Sequence, residues 1–325
     1  MTADIAAAAA LLRAGKIVAF PTETVYGLGA DASNERAVAR VYAVKGRPAD
    51  HPVIVLLASA TQLDDYADEP NDAARALARA CWPGPLTLVV KRREGTVVDA
   101  VTGGRATVGL RVPAHPLAHA LLDAFGGGVA APSANRFGRV SPTTAAHVRA
   151  DLGTDVDCVL DGGPATIGVE STIVDCTGAQ PAILRLGGIA ASAVEAVVGV
   201  PVAYKTRGEV AAPGTLEQHY SPAARVVLVE PDDDVTVVTR ARELLAGGHR
   251  VGLLTMRPPP NLPAALEVLN APTDPDDYAR VLYARLREAD TSGLDTLLVV
   301  APPSEGIGAA VRDRLARAAA GAGLP

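Results

Sequence analysis

Cysteine is scarce in this 325-residue chain: Cys81, Cys158 and Cys176 stand far apart, with no CxxC and no Cys/His ligand spacing. That argues against a disulfide framework and a protein-held metal site, and predicts buried thiols in a reducing compartment. A basic excess is missing as well. The formal net charge is −6, and both 1–205 and 206–325 lean acidic. Chains that grip nucleic acid through its phosphates normally carry a basic stripe, so stable nucleic-acid binding is disfavoured. A local basic pocket suits a small anionic ligand better. No apolar run approaches the roughly 18–20 residues that a membrane helix needs. The N-terminus has Asp4 and an alanine-rich stretch followed by Arg13 and Lys16, which reads as a helix and not a signal peptide. A cytoplasmic protein without membrane contact is expected.

What is present supports folded domains. Apolar residues make up 49% of the chain and charged ones 20%, enough for packed cores throughout. The length favours two domains. Residues 1–205 show a helix near 4–14, a strand at 17–21, a helix near 34–44 and a strand at 53–57. Further helices are expected near 71–81, 116–125 and 191–198, and strands at 86–91, 106–112, 128–131, 158–160, 171–175 and 182–186. That irregular order predicts an α/β domain over 1–205, a mixed twisted sheet with helices packed on it. Residues 206–222 lack hydrophobic periodicity and hold Gly208, Pro213, Gly214 and Pro222, which reads as an interdomain linker. Its hinges and its polar and aromatic residues also suit a lid over the active site. In 223–325 strands and helices alternate regularly, predicting a small doubly wound parallel α/β domain. No GxGxxG or GxxxxGK[ST] marks a nucleotide site there.

The polar signal sits at strand ends of the first domain. The strand at 17–20 runs into Pro21-Thr22-Glu23-Thr24-Val25-Tyr26-Gly27-Leu28-Gly29, read as a turn crowded with hydroxyls, a carboxylate and glycines. Lys45-Gly46-Arg47-Pro48 places two cations on a proline-stiffened loop before a buried strand, a suitable arrangement for a triphosphate. Arg111 lies inside an apolar strand, where a guanidinium is costly unless an anion meets it. Either an internal carboxylate or a ligand must do so, and the recurrence of hydroxyl and amide groups at neighbouring strand ends favours the ligand. Those groups come from Ala131-Pro132-Ser133-Ala134-Asn135, Ser141-Pro142-Thr143, Gly168-Val169-Glu170-Ser171-Thr172 and Leu184-Arg185-Leu186-Gly187-Gly188.

Taken in order, PTETVYGLG, KGRPxxxP, WPGPLT, RVPAHP, APSAN, SPT, GVEST and LRLGG resemble the YrdC-type threonylcarbamoyl-AMP synthases across residues 17–189. APGTLEQHYSP and the 304–319 tail resemble the longer, two-domain members. The resemblance implies a nucleotidyltransferase that forms an L-threonine carbamate from bicarbonate and adenylates it with ATP and Mg2+, releasing pyrophosphate. Its product serves N6-threonylcarbamoyladenosine formation in tRNA and implies transient hand-over to a transferase complex. By motif position, Thr22, Ile54, Arg111, the backbone at Ala131, and Ser171 should hold threonine. Lys45, the backbone at Ala49, Thr107, Ser133, Ser141 and Arg185 should hold ATP, with Arg47 and Asn135 assisting and His219 reaching in from the linker. Lys45, Arg47 and Arg111 carry the charge neutralisation expected to drive the chemistry. The linker departs from the family in carrying Leu216-Glu217-Gln218 where a basic stretch is common. Two other classes fit the chain less well. The acidic charge opposes an RNA-binding module, and a carbamoyl-phosphate-using maturation enzyme would carry zinc-finger and acylphosphatase-like segments.

Overall fold

The computed structural model describes residues 2–205, 220–231 and 233–321. Residues 206–219, which hold most of the expected linker together with His219, lie outside the described residues. The described chain divides into two compact units: 2–137, 141–166 and 170–205 form the first, while 138–140, 167–169 and the residues from 220 onward form the second. Neither short segment was anticipated, because three residues have no periodicity of their own. Twice, then, the chain leaves the first unit and returns, at Ser141 and at Glu170.

In the first unit the strands are β1 (Val18–Phe20), β2 (Gly27–Asp31), β3 (Ile54–Leu56), β4 (Leu86–Lys91), β5 (Thr107–Arg111), β6 (Val129–Ala130), β7 (Cys158–Val159), β8 (Thr172–Asp175), β9 (Ala182–Arg185) and β10 (Ala203–Tyr204). They form one mixed sheet in the order β10-β9-β8-β4-β5-β3-β6-β2-β1-β7. Its helices are α1 (Thr2–Arg13), α2 (Glu35–Lys45), α3 (Leu63–Tyr66), α4 (Asp72–Cys81), α5 (Asp99–Thr102), α6 (Pro116–Phe125), α7 (Ala145–Leu152) and α8 (Ala191–Val198).

Strand alternation sorts the side chains of the central strands onto two faces. Leu86, Leu88 and Val90 of β4 and Val108 and Leu110 of β5 point into a core with Leu77 and Ala78 of α4 and Val194 of α8. Thr87 and Val89 of β4 and Thr107, Gly109 and Arg111 of β5 therefore face the other way. On that side, Ala8 and Leu12 of α1 and Leu121 and Leu122 of α6 pack on Phe20, Leu56 and Val129. A third cluster joins Ala37 and Val41 of α2 and Val148 of α7 to Ala19, Leu28 and Ala30.

The expected turn at Gly27 and Gly29 is a strand instead. β2 pairs antiparallel with β1, and Gly29 is required there by close packing and not by a bend: a Cβ would stand 2.7 Å from Phe20 and 2.8 Å from Val129.

The second unit contains β11 (Arg225–Val229), α9 (Asp234–Ala246), β12 (Val251–Thr255), β13 (Glu267–Asn270), α10 (Pro275–Thr291), β14 (Thr296–Val300) and α11 (Gly308–Ala320). All four strands are parallel, in the order β11-β14-β12-β13, as the alternation of strand and helix predicted. Val229, Val237, Ala241, Val251, Leu253 and Leu298 form part of its core. Tyr220, assigned from sequence to the covering segment, is a core residue here. It is 1% exposed, stacks on Tyr283 at 5.7 Å and lies under the guanidinium of Arg314 at 5.1 Å. Gly168, with φ +87°, also belongs to this unit, where a Cβ would come within 2.3 Å of the Ala279 carbonyl oxygen. Among the described residues no helix is long and apolar enough to cross a membrane.

Candidate active site

Register assembles the site. Ile54 lies opposite Gly109 and Leu56 opposite Arg111; Val89 also lies opposite Gly109, Thr87 pairs with Ile173, and Ile173 with Arg185. Residues paired in register share a sheet face. One face thus collects Ile54, Thr107, Gly109, Arg111, Thr87 and Arg185, four of them singled out from the sequence. A Cβ at Gly109 would stand 3.4 Å from Thr87 Cγ2 and 3.6 Å from Ile54 Cγ1, so this position lies between those two side chains. Ala131 joins the face at its edge by donating its backbone N–H to the Ile54 carbonyl at 2.9 Å.

Arg111 is 5% exposed at the end of β5. The sequence favoured a ligand over an internal carboxylate as the partner of this arginine, yet the structure places a carboxylate beside it: Arg111 Nη2 stands 2.7 Å from Glu23 Oε1. This contact is close without being a directed hydrogen bond, since neither Glu23 oxygen nor Nη2 has a hydrogen-bond partner. The other guanidinium nitrogens are well aligned. Nε donates to the Gly84 carbonyl at 3.1 Å and Nη1 to Thr24 Oγ1 at 2.9 Å. The Trp-Pro-Gly-Pro loop therefore serves the arginine through a backbone oxygen, and Gly84 is held in turn by its N–H to the Val112 carbonyl.

Thr22 is occupied locally. Its hydroxyl donates to the Val25 carbonyl at 2.6 Å, accepts from the Thr24 and Val25 N–H groups, and meets the Thr24 hydroxyl at 2.8 Å. In this structure Thr22 braces Thr24, which in turn holds Arg111.

Ser171 lies just before β8, its hydroxyl 2.8 Å from that of Thr87. Arg185 grips the same residue, with Nη2 donating to the Ser171 carbonyl at 2.8 Å and hydroxyl at 3.2 Å. Gly187 explains the glycine pair of the last motif. Its backbone passes so close to the Glu170–Thr172 peptides that a Cβ would stand 2.3 Å from the Glu170 oxygen and Ser171 carbon. Ser141, fully buried, donates to Glu170 Oε1 at 2.7 Å, joining the SPT and GVEST motifs.

Lys45 closes α2. Asn34 caps the start of that helix by accepting from the Ala37 N–H, and Gly46, with φ +64°, ends it in the left-handed conformation glycine favours. The Lys45 ammonium donates to the carbonyls of Ser133 at 2.5 Å and Asn135 at 2.6 Å. Burial, and after it the charge of Arg47, hold this amine well below the ordinary lysine range. Arg47 bonds the Pro52 carbonyl at 2.8 Å and lies over Phe137. Ala49 sits on an exposed turn, and Thr107 is half-buried at the start of β5. Backbone bonds from Leu28 to Pro132, Tyr26 to Pro142 and Ala134 to Tyr26 tie PTETVYGLG to APSAN and SPT. Two neighbouring parts of the site were missed from sequence: Glu23, quoted without a role, and Thr87, whose only signal was its place in WPGPLT.

The Sua5/YciO/YrdC family, described as telomere recombination, matches residues 10–187, and the threonylcarbamoyl-AMP synthase C-terminal domain matches 189–320. The chain belongs to the Sua5/YciO/YrdC family. Among members of the family, the threonylcarbamoyl-AMP synthase of Pyrococcus abyssi is 42% identical over 320 residues, covering 96% of this chain and 92% of the relative. That of Bacillus subtilis is 40% identical, covering 98% and 93%. The crystal structure of P. abyssi Sua5 complexed with L-threonine superposes with a TM-score of 0.92 at 39% identity, covering 99% of this chain and 95% of that one. The family match therefore extends over both units.

Proposed function

We propose that the chain synthesises L-threonylcarbamoyl-AMP from L-threonine, bicarbonate and ATP, releasing pyrophosphate, for N6-threonylcarbamoyladenosine modification of tRNA. The observation that carries this reading is a buried arginine at the end of β5 on the same sheet face as Ile54 and Arg185, with Lys45 fixed at the Ser133-to-Asn135 loop. The relatives' names and the L-threonine complex of one of them support it.

In this reading Arg111 receives the threonine carboxylate, Ile54 contacts the side-chain methyl, and Ala131 and Ser171 border the amino acid. The threonine ammonium first gives up a proton to solvent, and the neutral amine then condenses with bicarbonate, losing water, to give the carbamate. A carbamate oxygen then forms a bond to the α-phosphorus as the bond to the bridging oxygen breaks and pyrophosphate leaves. Lys45, Arg47 and Arg185 neutralise the triphosphate, assisted by Thr107, Ser133, Asn135, Ser141 and the Ala49 backbone; His219 is assigned to the nucleotide by motif position alone. Positioning and charge supply most of the rate. Magnesium enters as part of the ATP substrate, carried on its phosphates. The product passes to a tRNA-modifying transferase.

The purified protein is expected to release pyrophosphate only with L-threonine, bicarbonate, ATP and magnesium together. Serine lacks one methyl group, and its turnover per KM should fall about 10- to 200-fold. Equal pyrophosphate release with threonine omitted overturns the reading.

Lys45 adds a pH dependence. A polyanion beside it favours the charged form and moves its proton affinity back up. Between the empty-site and occupied-site values, binding takes up a proton. ATP affinity is therefore full below the empty-site value and declines as pH rises through that window. The same shift makes the empty fold gain stability as pH climbs toward 10.5, since the unfolded lysine keeps its proton longer. Calorimetry in two buffers of different ionisation heat checks the uptake. Lys45→Arg, permanently charged, should flatten the profile.

A further inference from the structure

Glu23 is the unexplained group of the site. It is 6% exposed, both carboxylate oxygens are sealed from solvent, and neither accepts a hydrogen bond. Buried polar atoms are nearly always satisfied, and an ionised carboxylate offers about four lone-pair positions. A carboxylate serving only to neutralise Arg111 would take its N–H in line, and Glu23 does not. Meanwhile Arg111 is anchored independently, through Nε to Gly84 and Nη1 to Thr24, so Glu23 is not needed to hold it.

We propose that Glu23 receives the α-ammonium of the amino-acid substrate, beside the carboxylate held by Arg111. This rests on the substrate reading above and adds a residue to it. An α-amino acid carries opposite charges on groups joined through one carbon. Arg111 and Glu23 present the complementary pair, cation and anion 2.7 Å apart, with hydrogens left on Nη1 and Nη2 and lone pairs left on both carboxylate oxygens. Bridging the pair with a zwitterion requires the two side chains to part, since their facing atoms are sealed from solvent, and then satisfies the Glu23 oxygens and Arg111 Nη2 without adding net charge to a buried place, whereas a plain carboxylate would leave Glu23 facing a second anion. The site would thereby select an amine as well as an acid, which a basic pocket alone does not.

The test is titration calorimetry with L-threonine and with its 2-hydroxy counterpart, 2,3-dihydroxybutanoate, which keeps the carboxylate and side chain but replaces the ammonium with a hydroxyl. The wild type should prefer L-threonine by about 10- to 150-fold, the range of a hydrogen bond to a charged group. Glu23→Gln, similar in shape but uncharged, should lose most of that preference, with ATP titration as the control for folding. Glu23→Asp, whose carboxylate is one methylene shorter, should fall between the two, and it decides the matter where the glutamine variant does not fold. A wild type that binds L-threonine with no preference, or either variant keeping the wild-type ratio, overturns this proposal alone. A wild type that binds neither compound while binding ATP overturns it together with the amino-acid reading.

Discussion

Arg111→Ala should weaken L-threonine binding by about 2–5 kcal/mol, roughly 30- to 5,000-fold, and leave ATP affinity near the wild-type value. The reason is position. Arg111 closes β5, while the lysine proposed for the triphosphate closes α2 and bonds a different loop. The same substitution should also destabilise the empty protein by about 3–5 kcal/mol, because it strands Glu23 as a buried charge with no counter-ion. These two effects separate in a second variant. Replacing both partners with uncharged groups, as in Glu23→Gln with Arg111→Met, should recover much of the stability and none of the threonine affinity. Denaturant unfolding and calorimetry read the two quantities. Threonine affinity surviving in the double variant would place the carboxylate site elsewhere.

The other large effect is expected in the second unit, at Tyr220. Its φ is +63°, a conformation that a non-glycine residue holds only when its surroundings impose it. Tyr283 on one side and Arg314, fully buried and ion-paired to Asp313 at 2.6 Å, impose it here. Tyr220→Ala relieves none of that crowding usefully and leaves a cavity, so the second unit should lose about 3–5 kcal/mol. An unfolding midpoint matching wild type would refute the packing argument. A tyrosine-to-alanine change there perturbs a core, and loss of activity in such a variant does not by itself implicate a covering segment.

Most of the framework was legible in the sequence because its signals are local. Asn34 and Gly46 bracket α2, and the alternation in β4 and β5 separates core from site side chains. The misses share a different cause. Gly27 and Gly29 look like a turn because glycine usually marks one, yet Gly29 answers to Phe20 and Val129, a constraint visible only once strands are paired. α7 was missed although its buried Ala145, Val148 and Leu152 keep helical spacing and Thr144 caps the helix by accepting from the His147 N–H. At the site, an arginine in an apolar strand announced that an anion must be near. Which anion depended on a contact with Glu23, distant in sequence, and periodicity carries no information about that. The sequence offered the hydroxyl of Thr22 as a group for the amino-acid substrate, and its service to Thr24 was not legible there.

The two tripeptides 138–140 and 167–169 bear on how such a chain can be recombined. Because they belong to the second unit, that unit is not a cassette that starts after the linker and can be exchanged at one seam. Gly168 has no room for a side chain beside Ala279 and Arg280, and the Ser221 N–H is bonded to the Gly138 carbonyl at 3.0 Å. A chimera importing a foreign C-terminal half must therefore match both tripeptides to it. Each is followed at once by a residue of the Ser141–Glu170 hydrogen bond, so a poor match at the graft would be felt where the SPT and GVEST motifs meet.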